Sequence, residues 1–319
     1  MITLFSTPKP FHGHMGVIQR NALESWRRLA PDVEVILFGD DEGTAEVCHE
    51  LGLRHEPHVE RSKFGTKRLD SIFGQAQEIA RHETLSYVNC DIILTKEFLE
   101  AAEMLRAWRP RFLMVGRRWD TDITEPLNFS VEDWQERVVA RAKQKGIQRF
   151  YHNIDYFLFQ RGMYVGIPPL VIGRIWWDHW LVGKAQGQGA AVVDVSEVVC
   201  AVHQNHDYGY HPKGMEGVWR DEEAQRNYEL ASGDSRLGTI EDAPYRLTRY
   251  GIRENRTYWL APAKRRWRNI KRAVRGRLRT KVLHPILDAT RTARHAVGLK
   301  KGSIPAGLRN REKRHWMDE

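Results

Sequence analysis

"SYVNCDIILT", residues 86–95, is the stretch whose reading decides the fold. Tyr87-Val88 leads in and Ile92-Ile93-Leu94 leads out, an apolar run of the kind buried on both faces of a parallel sheet. Asn89-Cys90-Asp91 interrupts it with an amide and a carboxylate two positions apart. In open α/β sheets, ligands bind where strands run out at their carboxyl ends. A carboxylate there suits a hard divalent cation that keeps free positions for phosphate oxygens. The plainer alternative is that Asp91 caps the next turn and Asn89 serves the local backbone.

The neighbouring segments favour the first context. "MITLFST" (1–7), "VEVILFGDD" (33–41) and "RFLMVGRRW" (111–119) read as strands. Between them, "GVIQRNALESWRRLAP" (16–31), "GTAEVCHELGL" (43–53), "RLDSIFGQAQEIARHE" (68–83) and "KEFLEAAEMLRAW" (96–108) carry apolar residues at helical spacing. This alternation predicts an α/β fold with a mostly parallel central sheet flanked by helices. Three strand ends are polar, Ser6-Thr7, Asp40-Asp41 and Asn89-Cys90-Asp91, and are expected to converge. Further on, "NFSVEDWQERVVARAKQKG" (128–146) reads as a helix capped by Ser130, and "IDYFLFQRG" (154–162) as a strand. "IWWDHWLVGKAQGQG" (175–189) begins as a helix, and residues 190–212 hold one or two strands.

Three further constellations carry chemistry. In "AVHQNHDYGYH" (201–211), His203 emerges from an apolar run as Asp91 does, with His206 and Asp207 close behind. Neutral imidazole ligates Mn²⁺ well. In "WWDHW" (176–180), Asp178 stands among large aromatics at a helix start, either as a cap or as a carboxylate in a partly dry pocket suited to general-base work. Trp176 and Trp177 offer flat apolar surface for a sugar ring. "GRRWDTDITEP" (116–126) adds Arg117, Arg118, Asp120 and Asp122 beside Trp119.

On these motifs the chain resembles nucleotide-sugar glycosyltransferases of the GT-A fold, family 2-like, over roughly residues 2–232. Asn89-Cys90-Asp91 is similar to the Asp-X-Asp metal motif of that family, with an amide in place of the first acid. The resemblance implies that Asp91 and His203, or else His206, hold Mn²⁺ or Mg²⁺, and that Asp178 is the catalytic base. It implies that Ser6, Thr7, Asp40, Lys67, Arg68, Asn89 and Asp91 face the nucleotide-sugar donor. Trp119, Asp155, Trp176 and Trp177 would face a glycan or lipid-linked acceptor. Inversion is favoured over retention, which members of the same fold also catalyse, and synthesis of cell-envelope or extracellular polysaccharide is the expected setting. Two other readings compete. A sugar-1-phosphate nucleotidyltransferase would need a glycine-rich basic loop after the first strand, which "STPKPFHGHMG" (6–16) imitates poorly. A non-catalytic glycan-binding protein would explain Asn89.

Composition sets the rest. Of 319 residues, 41% are hydrophobic and 10% aromatic, as in folded proteins. The cysteines Cys48, Cys90 and Cys200 have no paired spacing that would indicate disulfides or a zinc cluster. No apolar run approaches the roughly 20 residues of a membrane span, and the N-terminus lacks the features of a signal peptide. A cytoplasmic location is therefore expected. The net charge of +9 belongs to one end: residues 263–319 hold 18 Lys/Arg against 4 Asp/Glu, leaving 32 basic and 37 acidic groups elsewhere. In that tail Trp267, Ile270, Val274, Leu278 and Val282 share one helical face, with Arg and Lys on the others. Such a helix suits an anionic membrane surface at its inner face, ahead of a structural role. Specific nucleic-acid binding is not expected. The division is thus a domain at 1–232, a linker at 233–262 and a basic helical tail at 263–319.

Overall fold

The first strand, β1 (Thr3–Ser6), lies parallel to β2 (Glu34–Phe38), and the helix α1 (Gly13–Arg27) makes the crossover between them. The computed structural model describes residues 1–207, 214–234 and 237–260, and Met1–Trp259 form one compact unit. After α2 (Thr44–Leu51), the short β3 (Arg54–Glu56) joins β2 in parallel; after α3 (Leu69–Ile79), β4 (Thr84–Val88) joins β1 on its other side. The antiparallel β9 (Tyr156–Gln160) separates β4 from β6 (Phe112–Val115), and β10 (Ala191–Asp194) continues in parallel beyond β6. The result is a large, mostly parallel sheet with helices on both faces, as the strand–helix alternation predicts.

Strand alternation divides the core in two. Phe5, Tyr87, Phe157 and Phe159 point to one face, where α3 and α6 (Trp177–Gly187) cover them with Phe73, Trp177 and Trp180. Leu4, Leu37, Tyr156 and Leu158 point to the other, under α1, α2 and α4 (Lys96–Trp108). Burial on both faces is why these strands read as unbroken apolar runs.

A second, smaller sheet begins just after the polar end of β4, in the order β5 (Ile92–Ile93), β11 (Ala201–Gln204), β7 (Arg118–Thr121) and β8 (Ile147–Gln148). The stretch 111–119, expected as one strand, divides between the sheets. At the division stands Gly116, where a Cβ would run into the Tyr156 hydroxyl. A second difference concerns the helix expected to run to residue 83. It stops at Ile79 because the Arg161 guanidinium takes the Ala80 and His82 carbonyls at 2.6 and 3.0 Å. Ser130 does not cap α5 (Trp134–Lys145), which starts later, and the Ser130 N–H donates to Asn128 Oδ1. The stretch expected as a linker, 233–262, contributes β12 (Tyr245–Thr248) and β13 (Gly251–Glu254), a hairpin that pairs with β10 and extends the large sheet. Residues 208–213 and the basic tail 263–319 lie outside the described residues. Among the described residues no helix is long and apolar enough to cross a membrane.

Two residues make a weak strand, and β5 is held from below by α1. The fully buried Trp26 donates its indole N–H to the Ile92 carbonyl at 2.7 Å, and Ser25 Oγ accepts the Leu94 N–H at 3.1 Å. Replacing Trp26 with Phe keeps much of the packing but leaves a buried carbonyl without a donor. Trp26→Phe is therefore expected to lose about 1–3 kcal/mol, seen in urea denaturation as a lower midpoint at unchanged slope.

Candidate active site

The register of the small sheet builds the site. His203 on β11 sits opposite Ile92 on β5 and beside Asp120 on β7. Asp91, one residue before β5, is thereby brought to His203, although 112 positions separate them in sequence. The Asp91 Oδ2 lies 3.8 Å from His203 Nε2 and 3.0 Å from His206 Nε2. All three ligand atoms fall within 4.8 Å of one another. Ligands held about 2.1 Å from one cation are about 3.0 Å apart at right angles and about 4.2 Å apart when opposed. The two separations from Asp91 fall in that range. Asp91 Oδ1 is buried with no described group donating to it, so one ligand oxygen is uncommitted. The residues thus fit a borderline divalent ion such as Mn²⁺. Burial works to raise the pKa of Asp91, but the His203 and His206 imidazoles and the Lys9 ammonium outweigh it and hold the carboxyl below its ordinary range.

A chain of polar groups supports this cluster. His203 Nδ1 lies 3.2 Å from Asp120 Oδ1, within ion-pair reach although the ring N–H does not point straight at the oxygen. A carboxylate behind a ligating imidazole fixes the ring's orientation and raises its basicity. Arg118 then bridges two acids, with Nε on Asp120 Oδ1 at 2.7 Å and a terminal nitrogen on Asp155 Oδ1 at 2.8 Å. Asn89 Nδ2 donates to that same Asp155 oxygen at 2.7 Å. Asn89 and Asp155 are therefore partners, where the resemblance placed one with the donor and the other with the acceptor.

Asp178 lies in the first turn of α6, with 20% of its side chain exposed. Burial raises its pKa, with the nearby negative Asp155 adding to the rise, while His179 and backbone N–H groups oppose it. A carboxylate in such a recess is a stronger proton acceptor than one in water.

The strand ends expected to meet the nucleotide are largely engaged with one another. Ser6 is fully buried, and Thr7 Oγ1 donates to the Phe38 carbonyl at 2.9 Å. Lys67 is buried, paired with Asp41, and donates to the Pro8 carbonyl at 2.7 Å. It passes so close to Gly39 (φ +106°) that a side chain there would collide with it. Asp40 pairs with Arg61, which holds its carboxyl below the ordinary value. Arg68 pairs with Asp70. Asp40, His58, Arg61, Ser71 and Gln75 line a cleft of about 330 Å³ that none of Asp91, His203 or Asp178 borders.

The tryptophans separate. Trp177 is 5% exposed and packs on Tyr87 and Phe157, so its ring belongs to the core and presents no face to a ligand. Trp119 alternates with Arg118 and Asp120 along β7 and joins the cluster under α5 with Val202, on the face turned away from His203. Trp176 stays partly exposed beside His179 and Tyr228. Sequence reasoning passed over Lys9, whose burial lowers its pKa while the Asp91 charge pulls it back up. Its signal was a lone cation between two prolines directly after β1.

No family model matches the chain, and no curated protein does. It is similar to several solved structures. Residues 1–349 of Staphylococcus aureus TarS match with 11% identity over 72% of this chain and 69% of that one, at a TM-score of 0.44. The UDP complex of that segment aligns over only 38% and 36% of the two chains, at 0.30. A mannosyltransferase from Pyrobaculum calidifontis with GDP-Man and Mn²⁺ matches with 13% identity over 74% of this chain and 65% of its own, at 0.44. Glucosyl-3-phosphoglycerate synthase from Mycobacterium tuberculosis with Mg²⁺ and UDP matches with 13% identity over 65% and 72%, at 0.40.

The donor set makes a direct prediction. Titrating the protein with Mn²⁺ and following the free-ion paramagnetic resonance signal should give saturable binding of one ion. Asp91→Asn and His203→Ala should each abolish it, and Asp120→Asn should weaken it about 10- to 100-fold.

Proposed function

We propose that this chain is a glycosyltransferase that uses a divalent cation to move a sugar from a nucleoside diphosphate donor to a hydroxyl of a glycan or lipid-linked acceptor, inverting the anomeric carbon. The observation that carries the reading is the convergence of Asp91, His203 and His206 at the sheet's polar edge, with Asp178 in a drier recess whose field includes Asp155. Competing readings gain no such support, and the amide at residue 89, which favoured a decayed site, is accounted for by its bond to Asp155.

The cation would offset the charge that collects on the departing diphosphate. Asp91, His203 and His206 would hold it, and Lys9 adds a positive charge on the same side. Asp178 accepts the proton of the acceptor hydroxyl as that oxygen bonds to the anomeric carbon. The bond from that carbon to the diphosphate oxygen breaks on the opposite face, and the nucleoside diphosphate leaves with the electron pair. Trp176 gives the acceptor ring an apolar edge beside this base. Ser6, Thr7, Asp40, Lys67 and Arg68 belong to the nucleoside end, where the last four shape the pocket through their own pairings. Cell-envelope or extracellular polysaccharide is the setting we assign to the acceptor, with the basic tail holding the enzyme at the inner membrane face.

A screen of UDP-, GDP- and dTDP-sugars for Mn²⁺-dependent binding and hydrolysis tests the reading; absence of any response would overturn it. Asp178→Asn should lower turnover about 10²- to 10⁴-fold while the donor still binds. The pH dependence has a defined sign. The base acts only when ionised, and its pKa is raised, so activity should climb with pH through a midpoint above the ordinary carboxylate value. A midpoint at or below that value would argue against Asp178. Separately, a chain ending at residue 262 should lose binding to phosphatidylglycerol vesicles and keep donor hydrolysis; retained binding would remove the tail from the proposal.

A further inference from the structure

Asp155 holds one of its two oxygens in strong bonds and leaves the other buried without a donor among the described residues. It is 4% exposed, at the foot of β9. Its Oδ1 receives two short hydrogen bonds, from Asn89 and from Arg118. Its Oδ2 is buried, and no described group donates to it. The backbone repeats the pairing, since the Asn89 N–H donates to the Asp155 carbonyl at 2.8 Å. One oxygen is therefore fixed from two directions, which aims the other. An ionised oxygen left buried without a donor is costly, and such atoms in native proteins call for a partner. Asp178, on the base side, feels the Asp155 charge, and Arg118, which bonds Asp155, also feels the charge of Asp91 on the cation side. A further metal ligand is not needed there, because Asp91, His203 and His206 already supply a cluster. What suits a lone, aimed carboxylate oxygen between a cation site and a base is a neutral hydroxyl donor.

We propose that Asp155 is a substrate-binding residue whose Oδ2 accepts a hydrogen bond from a hydroxyl of the transferred sugar, and that Asn89 is the positioning residue that presents it. This rests on the glycosyl-transfer reading and adds to it the group that recognises the sugar as distinct from the nucleotide. It also gives Asn89 a role an acid cannot fill. A carboxylate at residue 89 would meet Asp155 at hydrogen-bond distance with no proton to donate, and Arg118 already serves two acids.

The test compares a sugar nucleotide (UDP-glucose, or whichever donor the wild type binds) with the bare nucleoside diphosphate by calorimetry on the Mn²⁺-loaded protein. Asp155→Asn keeps an oxygen for Asn89 and Arg118 but turns the free acceptor into an N–H₂ donor. Its affinity for the sugar nucleotide should fall about 10- to 100-fold, the worth of a hydrogen bond to a charged group, while that for the bare diphosphate stays within about twofold. An unchanged ratio of the two affinities would overturn the assignment. The pairing is judged without any nucleotide. Asn89→Asp should lower the melting temperature of the apoprotein, and Asn89→Asp/Asp155→Asn, which exchanges acid and amide, should restore most of the loss. A stable Asn89→Asp, or no recovery in the exchanged pair, would overturn the positioning role. A wild-type protein that binds neither nucleotide would overturn the glycosyl-transfer reading and the sugar contact with it, leaving the pairing to stand or fall on the exchange.

Discussion

A strand of two residues, β5, carries the site. Its pairing with β11 is what sets Asp91 against His203, yet so short a strand contributes few ladder bonds of its own. The missing support comes from polar residues buried along α1. Gln19 clamps the Lys9 backbone, taking its N–H at 2.7 Å and giving a bond to its carbonyl at 2.8 Å. Asn21 donates to Gln204 and to the Glu125 carbonyl and accepts the Leu127 N–H. Gln204 in turn reaches the Ile18 and Asp91 carbonyls. Ser25 and Trp26 hold the chain on either side of Ile93. Polar groups in a helix face that packs on a sheet are tolerated only when bonded, and the bonds made by Gln19, Ser25 and Trp26, and that from Asn21 to Gln204, end on segments that carry a site residue. The helix is both a core element and the jig on which the site is assembled.

Charge balance is the second constraint. Asp91, Asp120, Asp155 and Asp178 occupy one region, and carboxylates crowded together cannot all remain ionised without counter-charges. Arg118 answers two of them and Arg149 adds a contact to Asp120 at 3.1 Å. Lys9 and the two imidazoles answer Asp91. Asp178 has the weakest answer, the His179 ring 3.9 Å away, and it is the one whose pKa burial drives upward. The site thereby separates its acids into a strongly ionised one suited to a cation and a more basic one suited to a proton, a division that environment alone imposes.

Much of this was legible in the sequence where one residue type at a strand end carried the message. Asp91 and His203 stand at the ends of apolar runs, with His206 close behind, and the helix 96–108 is bounded correctly by its own periodicity. What escaped was whatever depended on the opposite partner. Trp119 and Asp120 are neighbours in sequence, yet the period of two in β7 sends one to the site and the other beneath α5. Trp177 looked like a binding surface because its fate in the core is set by Tyr87 and Phe157, far away in the chain. The break at Gly116 depends on a hydroxyl from β9. The hairpin β12–β13 was overlooked because its strands are four residues long and edge-exposed, and so lack the apolar run that marked the central ones.

The entrance to α6 shows how the two constraints meet. Trp176 precedes the helix with φ +86°, the one non-glycine residue in the left-handed region among those described. A bulky residue there costs about 1–2 kcal/mol, and it persists only where its surroundings over-determine it. Those surroundings are visible: Tyr228 and His179 pack against the ring, the Trp180 N–H bonds back to the Trp176 carbonyl, and Asn227 on the helix Glu222–Asp234 grips the Val171 and Ile175 backbone just upstream. An extended residue at 176 would start the helix along a different path and carry Asp178 with it. The strain is thus what a fixed chain direction costs where Asp178 turns into its recess and the Trp176 ring stays partly exposed.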